Sequence, residues 1–190
     1  IGDDSADGDA EMIAMVIDSL KAAGLKDFQV ELGQVAFYRS LLEEAGLNGD
    51  VEEELNQLIE NKNDFGVEEL LKNQGIDPGL KQVFLKLPEL FGSLEQIMEA
   101  KKLTANPCAL AAIERLEQVH HILESYGLAG YVTYDLGMLS KYHYYTGIIF
   151  KAYTYGTGDY IVTGGRYDKL LVQFGKDTPA VGFVIVVDQL

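Results

Sequence analysis

The sequence has very few cysteines and histidines, the residues that form disulfides in secreted domains and bind metals. Its 190 residues include one cysteine, Cys108, three histidines and no tryptophan. A single cysteine cannot form an internal disulfide, which fits a reducing, cytoplasmic compartment. The cysteine and the histidines are not spaced as zinc ligands, so we expect no metal. Cys108 falls within a helical pattern, which favours a buried structural thiol.

Long apolar runs and basic residues are scarce as well. No run is long enough to span a bilayer, and the first residues do not have the pattern of a signal peptide. Fifteen Lys and Arg oppose 30 Asp and Glu, which gives a formal net charge of −15. A surface of that charge repels a phosphate backbone, so we expect neither nucleic acid nor a membrane as a partner. The plainer meaning of the charge is solubility.

Common catalytic motifs are missing too. The chain has no Gly-x-Gly-x-x-Gly after a strand, no P-loop, no Gly-x-Ser-x-Gly and no His-Glu-x-x-His. No nucleophile with its base can be placed, and no cofactor is expected. What is present is ordinary globular material, 47% hydrophobic and 24% charged. The chain begins without Met and ends just as an apolar run finishes, which indicates a piece of a longer protein.

Helical periodicity accounts for much of the first half of the chain. A first helix ends at Gly24 and has Asp7 or Asp9 as its N-cap, and a second runs from Val35 to Ala45. Between about residues 40 and 105, short amphipathic helices follow one another and predict a helical insertion. Its charged residues form either a solvated helix face or a docking surface for a partner.

A long helix is predicted next, from Cys108 to Tyr126, opened by Asn106 as N-cap and Pro107. Its apolar stripe consists of Leu110, Ile113, Leu116, Val119 and Leu123. His120 and His121 lie on the same helix. Because adjacent helical residues point about 100° apart, these two cannot bind one metal together.

Strands are predicted where residues alternate in polarity or form short apolar runs. They are Asp27–Leu32, Val132–Leu136, Tyr145–Tyr155, Tyr160–Thr163 and Ala180–Val187. The last is an almost unbroken apolar run, which suits a central strand covered on both faces. A short helix is predicted from Arg166 to Phe174. Together these elements predict an α+β fold, an antiparallel sheet with helices packed on it.

The stretch from Tyr144 to Asp168 is the candidate site. Two apolar runs flank a Gly-Thr-Gly turn, as in a β-hairpin, and two following glycines let a ligand or another strand approach closely. The tyrosines here either line a small polar pocket or are ordinary strand residues. Arg166 either holds a carboxylate or phosphate, or pairs internally with Asp168 or another acid. The candidate residues are Tyr144, Tyr145, Gly164, Gly165, Arg166 and Tyr167.

Three motifs give the chain a family resemblance. They are Tyr144-Tyr145-Thr146-Gly147, Gly164-Gly165-Arg166-Tyr167-Asp168 and Thr178-Pro179-Ala180-Val181-Gly182-Phe183. In this order the sequence resembles the catalytic domain of histidyl-tRNA synthetase. The resemblance implies a class II aminoacyl-tRNA synthetase-like fold, an antiparallel sheet flanked by helices, over residues 1–190. It also implies a partial domain, truncated on its N-terminal side, without the family's motif 1 dimer helix and motif 2 ATP loop.

The sequence departs from the synthetase pattern where charge is needed. The family's catalytic arginine falls on Ser140, and the motif 3 arginine that packs on ATP falls on Gln189. The histidine-pocket residues Tyr145 and Tyr167 remain. A chain with this combination resembles the synthetase paralogues that serve as regulatory subunits of short-form ATP phosphoribosyltransferase, the enzyme of the first step of histidine biosynthesis.

This second resemblance implies a non-catalytic chain that activates a separate catalytic subunit in a hetero-oligomer and confers feedback inhibition by histidine. Free histidine, if it binds at the synthetase-like pocket, is expected to contact Tyr145 and Tyr167. Self-association is expected, because an apolar sheet edge would be exposed. A histidyl-tRNA synthetase catalytic-domain fragment and a stand-alone amino-acid-binding module are the alternatives.

Overall fold

Helices packed on a β-sheet form the framework of the protein. The computed structural model describes residues 1–140 and 144–189. The strands in this part of the chain are β1 (Phe28–Gln34), β2 (Phe91–Gly92), β3 (Val132–Asp135), β4 (Ile148–Thr154), β5 (Val162–Arg166) and β6 (Val181–Ile185). The α-helices are α1 (Ala6–Ala22), α2 (Val35–Ala45), α3 (Gly49–Glu60), α4 (Asp64–Asn73), α5 (Pro78–Lys86), α6 (Leu94–Met98) and α7 (Pro107–Ser125). Short 3₁₀ helices join several of them.

The described strands form one sheet in the order β2-β3-β1-β4-β5-β6. Every neighbouring pair is antiparallel except β1 and β3, which run parallel with Val30 opposite Val132. The sheet is therefore mixed rather than wholly antiparallel. A parallel pair needs a long crossover, and here the crossover contains all the helices from α2 to α7.

The position of β6 corrects the expectation of a central strand for Ala180–Val187. In the described chain β6 lies at the edge of the sheet and pairs only with β5. Val184 is 63% exposed, so the strand is not covered on both faces. An apolar run does not tell whether both hydrogen-bonding edges of a strand are paired, which is why the sequence pattern was misleading.

The two faces of the sheet have different surroundings. Along β4 the side chains of Ile148, Phe150 and Ala152 enter the main core, where α1, α2 and α7 pack on the sheet. Ile149 and Lys151 alternate with them and point to the opposite face. We call this opposite surface, which α1 and α7 leave free, the open face.

The helices between α2 and α7 extend the same core rather than forming a separate one. Leu55, Leu71 and Phe84 are fully buried and belong to the main hydrophobic cluster. The hydroxyl of Tyr38 on α2 donates a 2.7 Å hydrogen bond to the side-chain oxygen of Asn56 on α3. This contact joins the helical segment to the layer beneath it. The limits of residues 40 to 105 for an insertion stay a prediction.

The N-terminal end of α1 differs from the prediction. Its N-cap is Ser5, whose hydroxyl accepts a hydrogen bond from the Gly8 amide, and neither Asp7 nor Asp9 has this role. Asp9 is instead buried at 1% exposure and pairs with two arginines. The N-cap of α7 is Asn106 as predicted, with its side-chain oxygen accepting from the Cys108 and Ala109 amides.

Cys108 is exposed, which corrects the expectation of a buried thiol. It lies in the first turn of α7, on the side away from the buried stripe. That stripe begins at Ala109, and the predicted stripe member Leu110 is only half-buried. The predicted helix from Arg166 to Phe174 is a 3₁₀ helix limited to Leu170–Phe174, while Arg166 is the last residue of β5.

A buried ion-pair network fastens α1 to β5. The Nε atom of Arg166 donates to Asp9 Oδ1 at 2.8 Å, and its Nη1 atom donates to Asp168 Oδ1 at 3.0 Å and to the Asp3 carbonyl at 2.9 Å. Nη2 also lies 2.8 Å from Asp9 Oδ1, but its hydrogens are not aligned for a hydrogen bond. Asp9 pairs through its other oxygen with Arg115 of α7 at 2.8 Å. One carboxylate thus joins two helices to the sheet.

The buried network makes a stability prediction. Asp9→Asn keeps the shape of the side chain but removes the negative charge that faces Arg166, which is 4% exposed. Losing one partner of a buried pair leaves the other charge uncompensated, so we expect the free energy of unfolding to fall by about 3–5 kcal/mol. Urea unfolding followed by circular dichroism measures the change.

The matched control is Asp168→Asn, since Asp168 contacts the same guanidinium but its side chain is 27% exposed. We expect this variant to lose only about 1 kcal/mol, as partly exposed pairs contribute little. An Asp9→Asn variant no less stable than Asp168→Asn would show that the network does not hold α1 to the sheet.

Candidate functional site

The candidate site is built on the open face around the hairpin of β4 and β5. In this hairpin Ile149 lies opposite Gly165 and Lys151 lies opposite Thr163. The segment before β4 is tied to the end of β5, because the Thr146 amide donates to the Arg166 carbonyl at 2.8 Å. The hairpin predicted from the Gly-Thr-Gly turn is therefore present, with its two glycines inside β5.

The two glycines of β5 serve opposite faces of the sheet. A Cβ atom on Gly165 would lie 2.8 Å from ring carbons of Tyr145, so only glycine lets that ring lie directly on the strand. A Cβ atom on Gly164 would meet the Gly182 carbonyl at 2.5 Å and the Phe150 ring at 2.6 Å, on the helix-covered face. Gly165 therefore shapes the candidate site, whereas Gly164 permits close packing beneath it.

The structure brings the three predicted tyrosines together. The ring centroids of Tyr144 and Tyr145 are 4.5 Å apart, and Tyr144 meets the Tyr167 ring edge-to-face at 6.1 Å. Tyr145 is 7% exposed and packs with Met138 and Ile149. Such aromatic pairs contribute about 0.5–1.5 kcal/mol beyond burial of their area, so the three rings hold one another in place.

A cavity of about 320 Å³ opens beside Tyr145. Its floor is formed by Ile149 and Lys151 of β4 with Thr163 of β5, all on the open face. Its walls come from the loop between β4 and β5, the end of α3 and the segment before residue 141, through Asp159, Tyr160, Glu60, Met138, Leu139 and Ser140. The size falls at the lower end of the range for small-molecule sites.

Arg166, a predicted site residue, does not reach this cavity with its side chain. Its guanidinium lies on the helix-covered face in the pairing with Asp9 and Asp168 described above. Burial works against its charge, but the two carboxylates outweigh that effect and hold the pKa of Arg166 above its ordinary value. Of the two roles left open by the sequence, internal pairing is the one observed.

Arg166 still supports the tyrosines through its backbone. Its carbonyl accepts from the Thr146 amide, and the Thr146 hydroxyl accepts from the Asp168 amide at 3.1 Å. From the other side, Arg39 of α2 donates to the Tyr145 carbonyl at 3.0 Å. The chain on both sides of the tyrosine pair is thus fixed by hydrogen bonds to β5 and α2.

Carboxyl groups give the rest of the open face an acidic character. Burial raises the pKa of Glu31, and the neighbouring Asp135 raises it further. Burial also raises the pKa of Asp135, against the opposing effect of a hydrogen bond from the Gly137 amide. Burial with these negative charges raises the pKa of Tyr153 to about 12. Lys151 lies among them and acts in the opposite direction on both carboxyls.

Sequence reasoning missed Lys151, Thr163 and Tyr160 as cavity residues. A signal was available for the first two, because side chains two apart on a strand share a face. Lys151 follows Ile149 at this spacing, and it is a charged residue in an otherwise apolar strand. Glu60 gave no such signal, because it lies at the end of α3, far from β4 and β5 in the sequence.

Ser140 and Gln189, the two positions at which the resemblance predicts missing arginines, lie in different surroundings. Ser140 lines the cavity beside Met138 and Leu139. Gln189 is exposed in the last 3₁₀ helix (Val187–Gln189). The residues numbered 141–143, which complete the segment compared with the synthetase signature, lie outside the described residues.

The described residues contain no group of three or more His, Cys, Asp or Glu that could hold a metal ion. A ring nitrogen of His120 lies 2.8 Å from the Tyr134 hydroxyl, and a ring nitrogen of His121 lies 3.0 Å from Glu124. The second oxygen of Glu124 lies 3.8 Å from the other ring nitrogen of His120. Within the same described part of the chain, no helix combines the length and apolar character needed to cross a membrane.

Known proteins share both the sequence and the fold. A regulatory subunit of ATP phosphoribosyltransferase from Ruminiclostridium cellulolyticum is 46% identical over 190 residues, which cover 100% of this chain and 45% of that protein. One from Acetivibrio thermocellus is 42% identical over 190 residues, covering 100% and 46%. The chain thus spans about half the length of the curated relatives it matches.

Solved structures agree on the fold. An ATP phosphoribosyltransferase regulatory subunit/histidyl-tRNA synthetase from Bacillus halodurans superposes with a TM-score of 0.89 at 34% identity, covering 99% of this chain and 50% of that one. A histidyl-tRNA synthetase from a Nostoc species has a TM-score of 0.80 at 21% identity, covering 99% and 46%, which speaks for the fold alone. The class II synthetase-like fold inferred from the motifs is confirmed.

A family model described as histidyl-tRNA synthetase matches residues 1–190, the whole chain. The regulatory subunits above are therefore its relatives within a group that shares the synthetase catalytic fold. The chain belongs to the histidyl-tRNA synthetase family.

Proposed function

We propose that this protein is a non-catalytic regulatory subunit of short-form ATP phosphoribosyltransferase, acting in the cytoplasm at the first step of histidine biosynthesis. The observation that carries the proposal is a cavity beside Tyr145 whose wall includes Ser140, the residue on which the resemblance places the family's catalytic arginine. Relatives at 40–46% identity over the whole chain have the same regulatory role in their names.

Loss of the arginine argues against amino-acid activation. Forming an adenylate places negative charge on phosphate oxygens, and catalysis requires positive or hydrogen-bond-donating groups aimed at that charge. Serine supplies a hydroxyl without charge and lacks the planar fork with which arginine binds two oxygens. Gln189 in place of the motif 3 arginine removes a second cation. Ligand recognition by the remaining residues does not require either one.

We propose that the pocket binds free histidine as the feedback effector. Tyr145 lines the cavity, and Gly165 admits its ring onto the strand. Tyr144 and Tyr167 do not line the cavity but join the site through the ring contacts of Tyr144 with both other tyrosines. In this proposal the hydroxyls of Tyr145 and Tyr167 contact the ligand. Gly164 lines the cavity through its backbone, whereas Arg166 supports the site from the opposite face. In a small cavity a few well-placed hydroxyls decide which polar ligand is held.

The partner in this proposal is the catalytic subunit of ATP phosphoribosyltransferase, a separate chain in a hetero-oligomer. Self-association is proposed as well, since β6 leaves one strand edge unpaired among the described residues, with Val184 63% and Val187 74% exposed beside it. Open strand edges with apolar side chains favour pairing with other chains.

The decisive experiment uses the full-length protein that contains this chain, mixed with a short-form catalytic subunit. We expect phosphoribosyl-ATP formation to increase strongly on mixing and histidine to suppress it. We expect the full-length protein alone to show no histidine-dependent exchange between ATP and pyrophosphate. Light scattering on the same mixture reports the assembly.

Exchange without activation would overturn the regulatory proposal and support the alternative, a histidyl-tRNA synthetase with substituted catalytic groups. Histidine binding with neither exchange nor activation would instead support a stand-alone amino-acid-binding module.

The pocket proposal is tested by a double variant, Tyr145→Phe with Tyr167→Phe. Phenylalanine keeps both rings, so the aromatic cluster is retained while two hydroxyls are removed. Each hydrogen bond contributes about 1 kcal/mol, so histidine affinity should fall roughly 10-fold or more. Isothermal titration calorimetry on the full-length protein gives the dissociation constant.

Tyr155→Phe is the matched control, since Tyr155 is 93% exposed in the turn of the same hairpin. It should bind histidine as the unaltered protein does. An unchanged histidine affinity in the double variant would show that the effector does not bind through these hydroxyls in this pocket.

A further inference from the structure

Lys151, in the floor of the cavity, has no ion-pair partner among the described residues. Among residues 1–140 and 144–189, no carboxylate lies within ion-pair distance of its ammonium group, and the contact observed is with the Tyr160 ring, 5.6 Å from its centroid. Lys151 is half-buried, so its charge is partly removed from water. A lysine in this situation either compensates charge nearby or awaits an anionic ligand.

The ammonium group of Lys151 lies near an aromatic ring of the cavity and is not paired with the acid on the adjacent strand. Glu31 lies directly across from Lys151 in the β1–β4 pair, yet the two do not form a salt bridge. The side chain instead reaches toward Tyr160, which lines the cavity together with Tyr145 and Thr163. The positive charge therefore lies at the cavity beside Tyr145.

We propose that Lys151 binds the α-carboxylate of the amino acid held in this cavity, an inference that rests on the histidine pocket proposed above. No other cationic residue lines the described part of the cavity. Ser140, in the wall, stands where the resemblance places an arginine, and it leaves the site without that charge. Lys151, on a neighbouring part of the floor, supplies one from a different strand.

The other charges around the cavity favour a zwitterion over a phosphate. Asp159 and Glu60 line the same space and place negative charge at its margin. A ligand with one carboxylate and one ammonium group can face Lys151 and these acids at the same time. A phosphate, which carries more negative charge and no cation, would gain from Lys151 but be repelled by both carboxylates.

Lys151 also offsets the buried acids of the open face, and this role does not compete with ligand binding. Its charge lowers the pKa values of Glu31 and Asp135, against the raising effect of burial, from beyond salt-bridge distance. A bound carboxylate in direct contact would interact with the ammonium more strongly than these distant groups do, since Coulomb energy falls with separation.

The test compares ligands with and without the carboxylate in the full-length protein. L-histidine and L-histidinol share the imidazole and the amine, but histidinol has a hydroxymethyl group where histidine has the carboxylate. Calorimetry should show that the unaltered protein binds histidine about 10-fold or more tightly than histidinol. Lys151→Gln should weaken histidine binding by a similar factor and leave histidinol binding nearly unchanged.

Two further variants separate a ligand contact from a general effect of charge. Lys62→Gln removes a lysine that also acts on Asp135, but from the neighbouring cavity, and it should keep the preference for histidine. Lys151→Arg should restore part of the preference, because the charge is kept. Loss of the preference in Lys62→Gln would overturn the proposal.

The outcomes distinguish this inference from the pocket proposal beneath it. If the unaltered protein binds histidinol as tightly as histidine, or if Lys151→Gln keeps the preference, the role of Lys151 is overturned while the pocket stands. If histidine does not bind at all, both are overturned. The comparison in the unaltered protein remains decisive even if Lys151→Gln fails to fold.

Discussion

The pairing of Asp9 with Arg166 is the interaction on which the geometry of this protein depends. It joins the first helix to the end of β5 across 157 positions of sequence, and Asp9 carries Arg115 as a second partner. Buried ion pairs are costly to form, because two charges leave water, and their net contribution to stability is often small. Their geometry, however, is demanding. The pair fixes where β5 ends relative to the helices, and that end is attached to the segment bearing Tyr145.

The short strand β5 has a different role on each face of the sheet. Directions alternate along a strand, so Gly164 and Arg166 are directed toward the helix-covered face and Gly165 toward the open face. The residues on the core side secure the strand, and Gly165 between them leaves room for an aromatic ring. A motif of consecutive residues therefore does not describe a single surface. Arg166 fixes the end of the strand, and its guanidinium pairs with acids on the helix-covered face.

This division explains which features were accessible from the sequence. Periodicity predicted α2 and the Asn106 cap because each depends on residues within a few positions. The tyrosine cluster was accessible through the family motifs. Asp168 was accessible as a possible partner of Arg166, because it lies two residues away. Asp9 was not, because it is distant in sequence and its position predicts an ordinary capping residue. The same limit applies to Lys151, whose meaning depends on which acids and rings the folded sheet places around it.

A pocket can lose catalysis and keep recognition because the two depend on different interactions. Catalysis needs groups that bind the transition state more tightly than the ground state, and a cation facing the developing phosphoanion is such a group. In the proposed function, Ser140 at this position removes that differential binding, while the proposed contacts of the hydroxyls and apolar walls with the free amino acid remain. An effector site needs only ground-state affinity, coupled to a partner. In the proposed site, Lys151 contacts the carboxylate of the amino acid and not a phosphate. Its charge therefore favours binding of the free amino acid and contributes nothing to amino-acid activation.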